Sequence, residues 1–121
     1  MKKGCYMSRI PKLRTVCSDK EFIFESKPKV TNEYVQLSIE EFETIRLIDY
    51  ANLRQCECAD MMEVARTTVQ AIYKKARFKL VDALINQKNI RITGGYYKLC
   101  NHSSHVKNCL KNIEQKHQIN D

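Results

Sequence analysis

The amino-acid sequence predicts a mainly α-helical fold, in which three helices form the core, a short strand follows them, and an extended basic arm precedes them. Apolar residues recur at steps of three and four over residues 38–51 and again over 66–86, which is the period of a helix with one buried face. Residues 90–92 alternate apolar and polar side chains, as a strand does. We therefore divide the chain into an N-terminal arm over residues 1–37, a helical domain over 38–97 and a polar tail over 98–121.

The bulk composition fits a single soluble domain. The chain has 121 residues, of which 43% are hydrophobic and 29% charged, so it can build one modest core. No run of 18 apolar residues is present, and no membrane span is expected. The basic start MKKGCYMSRIPK lacks the apolar segment of a secretory signal, which predicts a cytoplasmic protein; translation could begin at Met1 or at Met7.

The arm carries few structural signals. Arg9, Lys12 and Arg14 surround Pro11 and form a basic segment that could lie along phosphates or simply be solvated. Residues 22–24 form a short apolar run, and residues 35–37 fit either a short strand or an extended lead-in to the first helix.

The first helix is predicted over residues 38–51. Ser38 and Glu41 have the spacing of a capping box, and Leu37 and Phe42 are placed for a hydrophobic staple across it. The residues expected to be buried are Ile39, Phe42, Ile45 and Ile48. The residues expected on the outer side are Glu40, Glu43, Arg46 and Asp49.

Residues 53–84 predict a short helix, a tight turn and a longer helix, which is a helix-turn-helix arrangement. Ala59 suits the point where the two helices cross, and Val69 and Ile72 would face it. Two residues fit this arrangement less well. Glu63 occupies the turn, where glycine is usual because the backbone φ is often positive, and Ala65 occupies the N-cap of the longer helix, where Ser, Thr or Asn would bond a free N–H.

The longer helix has two distinct sides. Its apolar stripe consists of Val69, Ile72, Ala76, Leu80 and Ala83. Another side carries Arg66, Gln70, Lys74 and Arg77. Residues 65–80 contain five basic and no acidic side chains, whereas residues 38–64 contain two basic and seven acidic ones. This separation of charge favours a polyanion as the partner of the longer helix, although a helical hairpin with a solvated basic side has the same pattern.

The C-terminal part contains a strand signal and a cluster of metal-ligand residue types. The long helix is expected to end near Asn86, and the strand at residues 89–97 is expected to pair with residues 13–17. Cys56 and Cys58 point to different faces of a helix, which makes Cys58 a core residue rather than half of a metal pair. The cluster consists of Cys100, His102, His105 and Cys109, to which Cys5 or Cys17 could contribute. The alternatives for it are a tetrahedral zinc site, reduced free thiols, or a regulator that responds to metal or redox state.

Four blocks of the sequence resemble a prokaryotic family known as domain of unknown function 134 or uncharacterised protein family 0251. The blocks are MSRIPKLRTVC at 7–17, SIEEFETIRLID at 38–49, ECADMMEVARTTVQAIYKKARFKLVDALI at 57–85 and IRITGGYY at 90–97. The span 53–84 is also similar to the helix-turn-helix of sigma-70 region 4. The resemblance covers about residues 7–100 and implies a DNA-binding protein without an assigned enzyme activity. The chain departs from the family pattern at Arg54, Glu63 and Ala65.

These observations predict a sequence-specific double-stranded DNA-binding protein that regulates transcription and needs no cofactor. The candidate DNA-binding residues are Gln55, Arg66, Thr67, Thr68, Gln70, Lys74, Lys75 and Arg77. Those near the start of the longer helix are candidates for base contacts, whereas Lys74, Lys75, Arg77 and also Lys79 are candidates for phosphate contacts. Gln55 could meet a phosphate.

Two further classes of function bear on this prediction. The main alternative is a protein-interaction module that docks RNA polymerase or another partner through the acidic side of residues 38–63, which includes Glu40, Glu43 and Asp49. A homodimer is left open. No Gly-rich phosphate loop, zincin motif or nucleophile elbow is present, so an enzyme is not expected.

Overall fold

The computed structural model describes residues 11–100, and within that range five short strands accompany three helices. The elements in chain order are β1 (Arg14–Val16), β2 (Phe22–Phe24), β3 (Tyr34–Leu37), α1 (Ile39–Ile45), α2 (Gln55–Met62), α3 (Arg66–Asn86), β4 (Asn89–Ile92) and β5 (Tyr97–Leu99). A π-helical segment (Arg46–Tyr50) continues α1.

The strands form two small sheets that join the two ends of the described chain. In the three-stranded sheet, β4 lies in the centre, antiparallel to β2 and parallel to β3. In the two-stranded sheet, β1 pairs in parallel with β5. The alternation of residues 90–92 therefore correctly predicted a strand, but its partners are β2 and β3. The segment around residues 13–17, which contains β1, pairs instead with β5, the strand that follows β4.

The predicted fold class, a mainly α-helical three-helix core with one C-terminal strand and an extended arm, is wrong. Residues 14–37 contribute three strands, and the two sheets they help to form are part of the core. Val16, Leu37 and Ile92 are almost fully buried and pack with Ile39 of α1 and Ala76 of α3. The apolar sides of α1 and α3 are thus covered partly by strands, which the helical periodicity could not reveal.

The start of α1 follows the sequence prediction closely. The Ser38 side chain accepts a hydrogen bond from the Glu41 N–H, and the Glu41 carboxylate accepts one from the Ser38 N–H at 2.9 Å. This reciprocal capping box satisfies two backbone donors that a helix start would otherwise leave free. Leu37 and Phe42, the predicted staple pair, both belong to the cluster of apolar residues around the sheets.

The buried side of this helix differs from the prediction, and its second half is π-helical. Of the residues expected to be buried, Ile39 is almost fully so, whereas Phe42, Ile45 and Ile48 are half-buried. Leu47 is fully buried, and it lies on the same side as Ile39 because residues four apart share one side of a helix. Glu43, expected on the outer side, is also buried.

A second apolar cluster holds α2 and α3 together. Cys58, Ala59 and Met62 of α2 pack against Val69 of α3 and Leu47 of the π-helical segment. Ala59 lies at the predicted crossing point, and its small side chain allows the close approach of the helices. Cys58 is a core residue as predicted, and its burial raises the pKa of the thiol to about 12.

Candidate nucleic-acid interface

The turn between α2 and α3 has the backbone that the sequence predicted. Glu63 ends α2 in the left-handed conformation, with φ 59° and ψ 43°, at the position where glycine is usual. Its N–H and that of Val64 bond to the last carbonyls of α2, and the latter bond measures 3.1 Å to the Ala59 oxygen. The Glu63 carboxylate also accepts a hydrogen bond from the Thr15 hydroxyl at 3.1 Å. A side chain from β1 therefore helps to fix the angle between the two helices.

The start of α3 lacks a side-chain cap. Ala65 has the extended backbone of an N-cap residue, with φ −69° and ψ 152°, but its methyl group accepts no hydrogen bond. The Ala65 carbonyl accepts the first bonds of the helix from the N–H groups of Thr68 and Val69, at 3.0 and 3.2 Å. The helix then runs without interruption to Asn86, which is the predicted end.

Most of the candidate DNA-binding residues lie on the exposed side of α3. Those that are exposed are Arg66, Thr67, Gln70, Lys74, Lys75 and Arg77. Thr68 is half-buried beside the fully buried Val69, as its partly inward position predicted. Gln55 is half-buried at the start of α2. We call the exposed set on α3, consisting of Arg66, Thr67, Gln70, Lys74, Lys75 and Arg77, the basic surface.

Two depressions lie beside the basic surface. One, of about 550 Å³, is bordered by Gln55, Arg66 and Tyr73. The other, of about 430 Å³, is bordered by Thr67 and Lys75 and also by Arg14 of β1. The structure thus places Gln55 and Arg66 around the same depression. It places Arg14, which was expected in an extended arm, around a second depression that α3 also borders.

The basic side chains of the helical region fall into two groups. Several have an acidic partner, among them Arg46 with Glu43 at 2.8 Å and Lys88 with Asp82 at 2.9 Å. In contrast, the side chains of Arg66, Lys74 and Lys75 make no hydrogen bond or ion pair within residues 11–100. The structure therefore leaves three positive charges of the basic surface available to a ligand.

Lys79 belongs to the first group, although the sequence analysis placed it among the phosphate contacts. Its Nζ donates to the Glu41 carboxylate at 2.7 Å and to the Gln36 carbonyl at 2.9 Å. Glu41 is also the residue that caps α1. Lys79 therefore joins α3 to α1 and β3, and this structural role could not be inferred from its position on the helix.

Tyr73 is a residue of this region that the sequence analysis missed. Its hydroxyl donates to the Asp49 carboxylate at 2.7 Å, and the Arg77 guanidinium lies over its ring, 5.2 Å from the centroid. Burial, together with the hydrogen bond to Asp49, raises the pKa of Tyr73. The ring holds Arg77 at the edge of the basic surface. The spacing of four between Tyr73 and Arg77, which brings two residues together on a helix, could have indicated this contact.

The acidic residues assigned to a protein-docking site are engaged within the fold. Glu40 accepts a hydrogen bond from the Tyr96 N–H at 3.1 Å. Glu43 accepts two from Arg46 and one from the Cys17 N–H, and Asp49 accepts one from Tyr73. Docking of a partner protein through these residues stays a prediction.

The proposed metal cluster lies largely beyond the region that the structure describes. His102, His105, Cys109 and Cys5 fall outside residues 11–100. Cys17 and Cys100 are described, and the Cys100 N–H bonds to the Val16 carbonyl at 2.9 Å. Within residues 11–100, no group of three or more His, Cys, Asp or Glu side chains is arranged to hold a metal ion.

None of the helices in the described part of the chain has the length and apolar character that crossing a membrane requires.

Comparison with known proteins identifies a family. The chain is 46% identical over 96 residues to a UPF0251 protein of Caldanaerobacter subterraneus, covering 77% of this chain and 81% of that protein. It is 46% identical over 93 residues to one from Caldicellulosiruptor bescii, covering 77% and 66% of the two chains. A UPF0251 protein of Desulfitobacterium hafniense is 54% identical over 66 residues, which is 54% of this chain and about half (53%) of that relative's length.

No solved structure matches the chain. The sequence profile of the family described as "Protein of unknown function DUF134" matches residues 1–100. The four sequence blocks that resembled this family are thus confirmed as evidence of membership, and the chain belongs to the DUF134 family.

Proposed function

We propose that this protein binds double-stranded DNA in a sequence-specific manner and regulates transcription. In this proposal, α2, the turn at Glu63 and α3 act as a helix-turn-helix similar to that of sigma-70 region 4. The N-terminal half of α3 enters the major groove, and α2 lies across the DNA backbone.

The observation that carries the proposal is the set of unpaired charges on α3. Lys79 and Lys88 are neutralised by Asp or Glu side chains of the fold, whereas Arg66, Lys74 and Lys75 have no such partner within the described residues. The first three turns of α3 contain no acidic residue. A polyanion that approaches this side therefore meets a positive potential without having to break an internal ion pair.

The positions of these residues along α3 suggest a division of roles. Arg66, Thr67 and Gln70 lie in the first two turns, which in a docked helix-turn-helix are closest to the base edges. An arginine can bond guanine at O6 and N7, and a glutamine can bond adenine at N6 and N7. Lys74 and Lys75 lie one to two turns later, where the helix leaves the groove, and would neutralise phosphates.

Titration of fluorescent duplex DNA at increasing salt concentration tests the proposal. A double variant, Lys74→Ala with Lys75→Ala, should reduce the slope of log affinity against log salt by about 1.8, because each phosphate contact contributes about 0.9. The matched control is Lys27→Ala with Lys29→Ala, which removes the same charge from exposed residues between β2 and β3 and should leave the slope nearly unchanged. A wild-type protein with no salt-sensitive affinity for duplex DNA would contradict the proposal.

A further inference from the structure

The exposed side of α3 changes character at Phe78. Before that residue it carries the basic surface, and after it the exposed side chains are mostly apolar. Phe78, Val81, Leu84 and Ile85 are between 51% and 73% exposed. Phe24 of β2 is 58% exposed and borders the same depression as Leu84. We call these five residues the apolar face.

The size of the apolar face is that of an interaction site. Five large side chains exposed by more than half present about 500 Å² of apolar surface, taking about 150–250 Å² for a fully exposed aromatic side chain and somewhat less for an aliphatic one. Contiguous apolar patches of about 300–600 Å² on a single chain often mark binding sites. No described residue covers this one.

The spacing within the face is complementary to itself. Phe78, Val81 and Ile85 follow one another at steps of three and four, so they form one seam over two turns of α3. When a second copy packs antiparallel with its two-fold axis between residues 81 and 82, each Phe78 lies opposite the Ile85 of the other copy. The two Val81 side chains then meet next to the axis. Such reciprocal pairing is the signature of a symmetric dimer interface.

The charges at the ends of the seam agree with the same arrangement. One turn before Phe78 the seam continues with Lys74, which in the antiparallel register lies just beyond the C-terminal end of the other copy's α3. That end carries the negative pole of the helix dipole, and its last turn contains no basic residue. Lys88 follows that end by two residues, but Asp82 already neutralises its charge at 2.9 Å, so Lys74 would meet the negative pole of the helix.

We propose that the apolar face binds the same face of a second copy of this chain and forms a two-fold symmetric homodimer with antiparallel α3 helices. The proposal concerns the free protein and does not depend on DNA binding.

Sedimentation velocity of the full chain under reducing conditions tests this inference. The wild type should form a dimer at micromolar concentration. Val81→Glu should weaken the dimer by at least about tenfold, because two like charges would be buried next to the axis. The matched control is Val30→Glu, which makes the same change at a residue 56% exposed in the loop between β2 and β3 and should remain dimeric. Circular dichroism of each variant verifies that its helical content is retained.

A mixture of variants tests the proposed register. Val81→Glu and Val81→Lys should each be monomeric alone and should associate when mixed, since opposite charges would then meet at the axis. A monomeric wild type at 100-fold higher concentration, or a Val81→Glu variant as dimeric as the wild type, would overturn the proposal. Failure of the two variants to associate when mixed would overturn the antiparallel register.

Discussion

Two lysines one turn apart on α3 should have different roles, and replacing each by methionine separates them. Lys79 is only 30% exposed and bonds to Glu41, which is 7% exposed, and to the Gln36 carbonyl. Lys75 is exposed and has no partner within residues 11–100. Methionine keeps much of the length and apolar stem of lysine and removes its charge.

The expected loss of stability follows from the contacts of Lys79. A hydrogen bond to a charged group contributes about 1.5–3 kcal/mol, and Glu41 would remain nearly buried without its cation. Glu41 keeps its hydrogen bond from the Ser38 N–H, and Lys79 is partly solvated, so the lower part of this range applies. Lys79→Met should therefore lower the free energy of unfolding by about 2 kcal/mol, which is about 10 °C in the melting temperature of a domain of this size.

Urea denaturation and salt-dependent DNA binding, measured on both variants, form the assay. Lys75→Met should change stability by less than about 0.5 kcal/mol, yet reduce the salt slope of DNA binding by about 0.9. Lys79→Met should show the opposite pattern, with lower stability and an unchanged slope at a temperature where it is folded. Equal effects of the two substitutions on both properties would refute the division of roles that the structure assigns to these lysines.

Four other outcomes are expected. Ala65→Ser should stabilise the protein by about 1 kcal/mol in urea denaturation, because Ala65 already has the N-cap backbone and lacks only the acceptor; no gain would contradict that geometry. In the native protein at pH 8, an alkylating reagent should modify the exposed Cys56 but not the buried Cys58, as mass spectrometry of the peptide that contains both would show; modification of both cysteines at equal rates would contradict the burial of Cys58. The raised pKa of Cys58 should also make the free energy of unfolding fall as pH rises from 9.0 to about 12, because the thiol ionises first in the unfolded chain. Gly95→Ala should destabilise the fold by about 2 kcal/mol or more, since φ is +118°, which L side chains rarely adopt, and a Cβ would lie 2.9 Å from the Ser38 Cβ; an unchanged melting temperature would argue against this packing.

The features that the sequence predicted correctly depend on residues close together in the chain. The capping box at Ser38, the left-handed Glu63, the uncapped Ala65 and the end of α3 at Asn86 all follow from local spacing or backbone preference. The exposure of the basic surface follows from the helical period of α3 alone.

The features that the sequence did not predict depend on distant partners. The strands β1, β2 and β5 have three residues each, too few to show a period of two, and β1 pairs with a strand more than 80 residues away. The role of Lys79 depends on Glu41, which is 38 residues earlier. The π-helical segment has no local sequence signal that we recognise, and Leu47, which is fully buried, was not part of the predicted apolar stripe.

Selection of genomic DNA fragments by the purified protein at near-physiological salt, in parallel with an Arg66→Ala, Gln70→Ala double variant, tests the central claim most directly. Neither residue makes a side-chain hydrogen bond within residues 11–100, so the variant should keep the stability of the wild type. We expect the wild type to enrich a defined sequence motif and the variant to lose that enrichment while retaining salt-sensitive binding through its lysines. Enrichment of no motif by the wild type, or of the same motif by both proteins, would contradict sequence reading by α3.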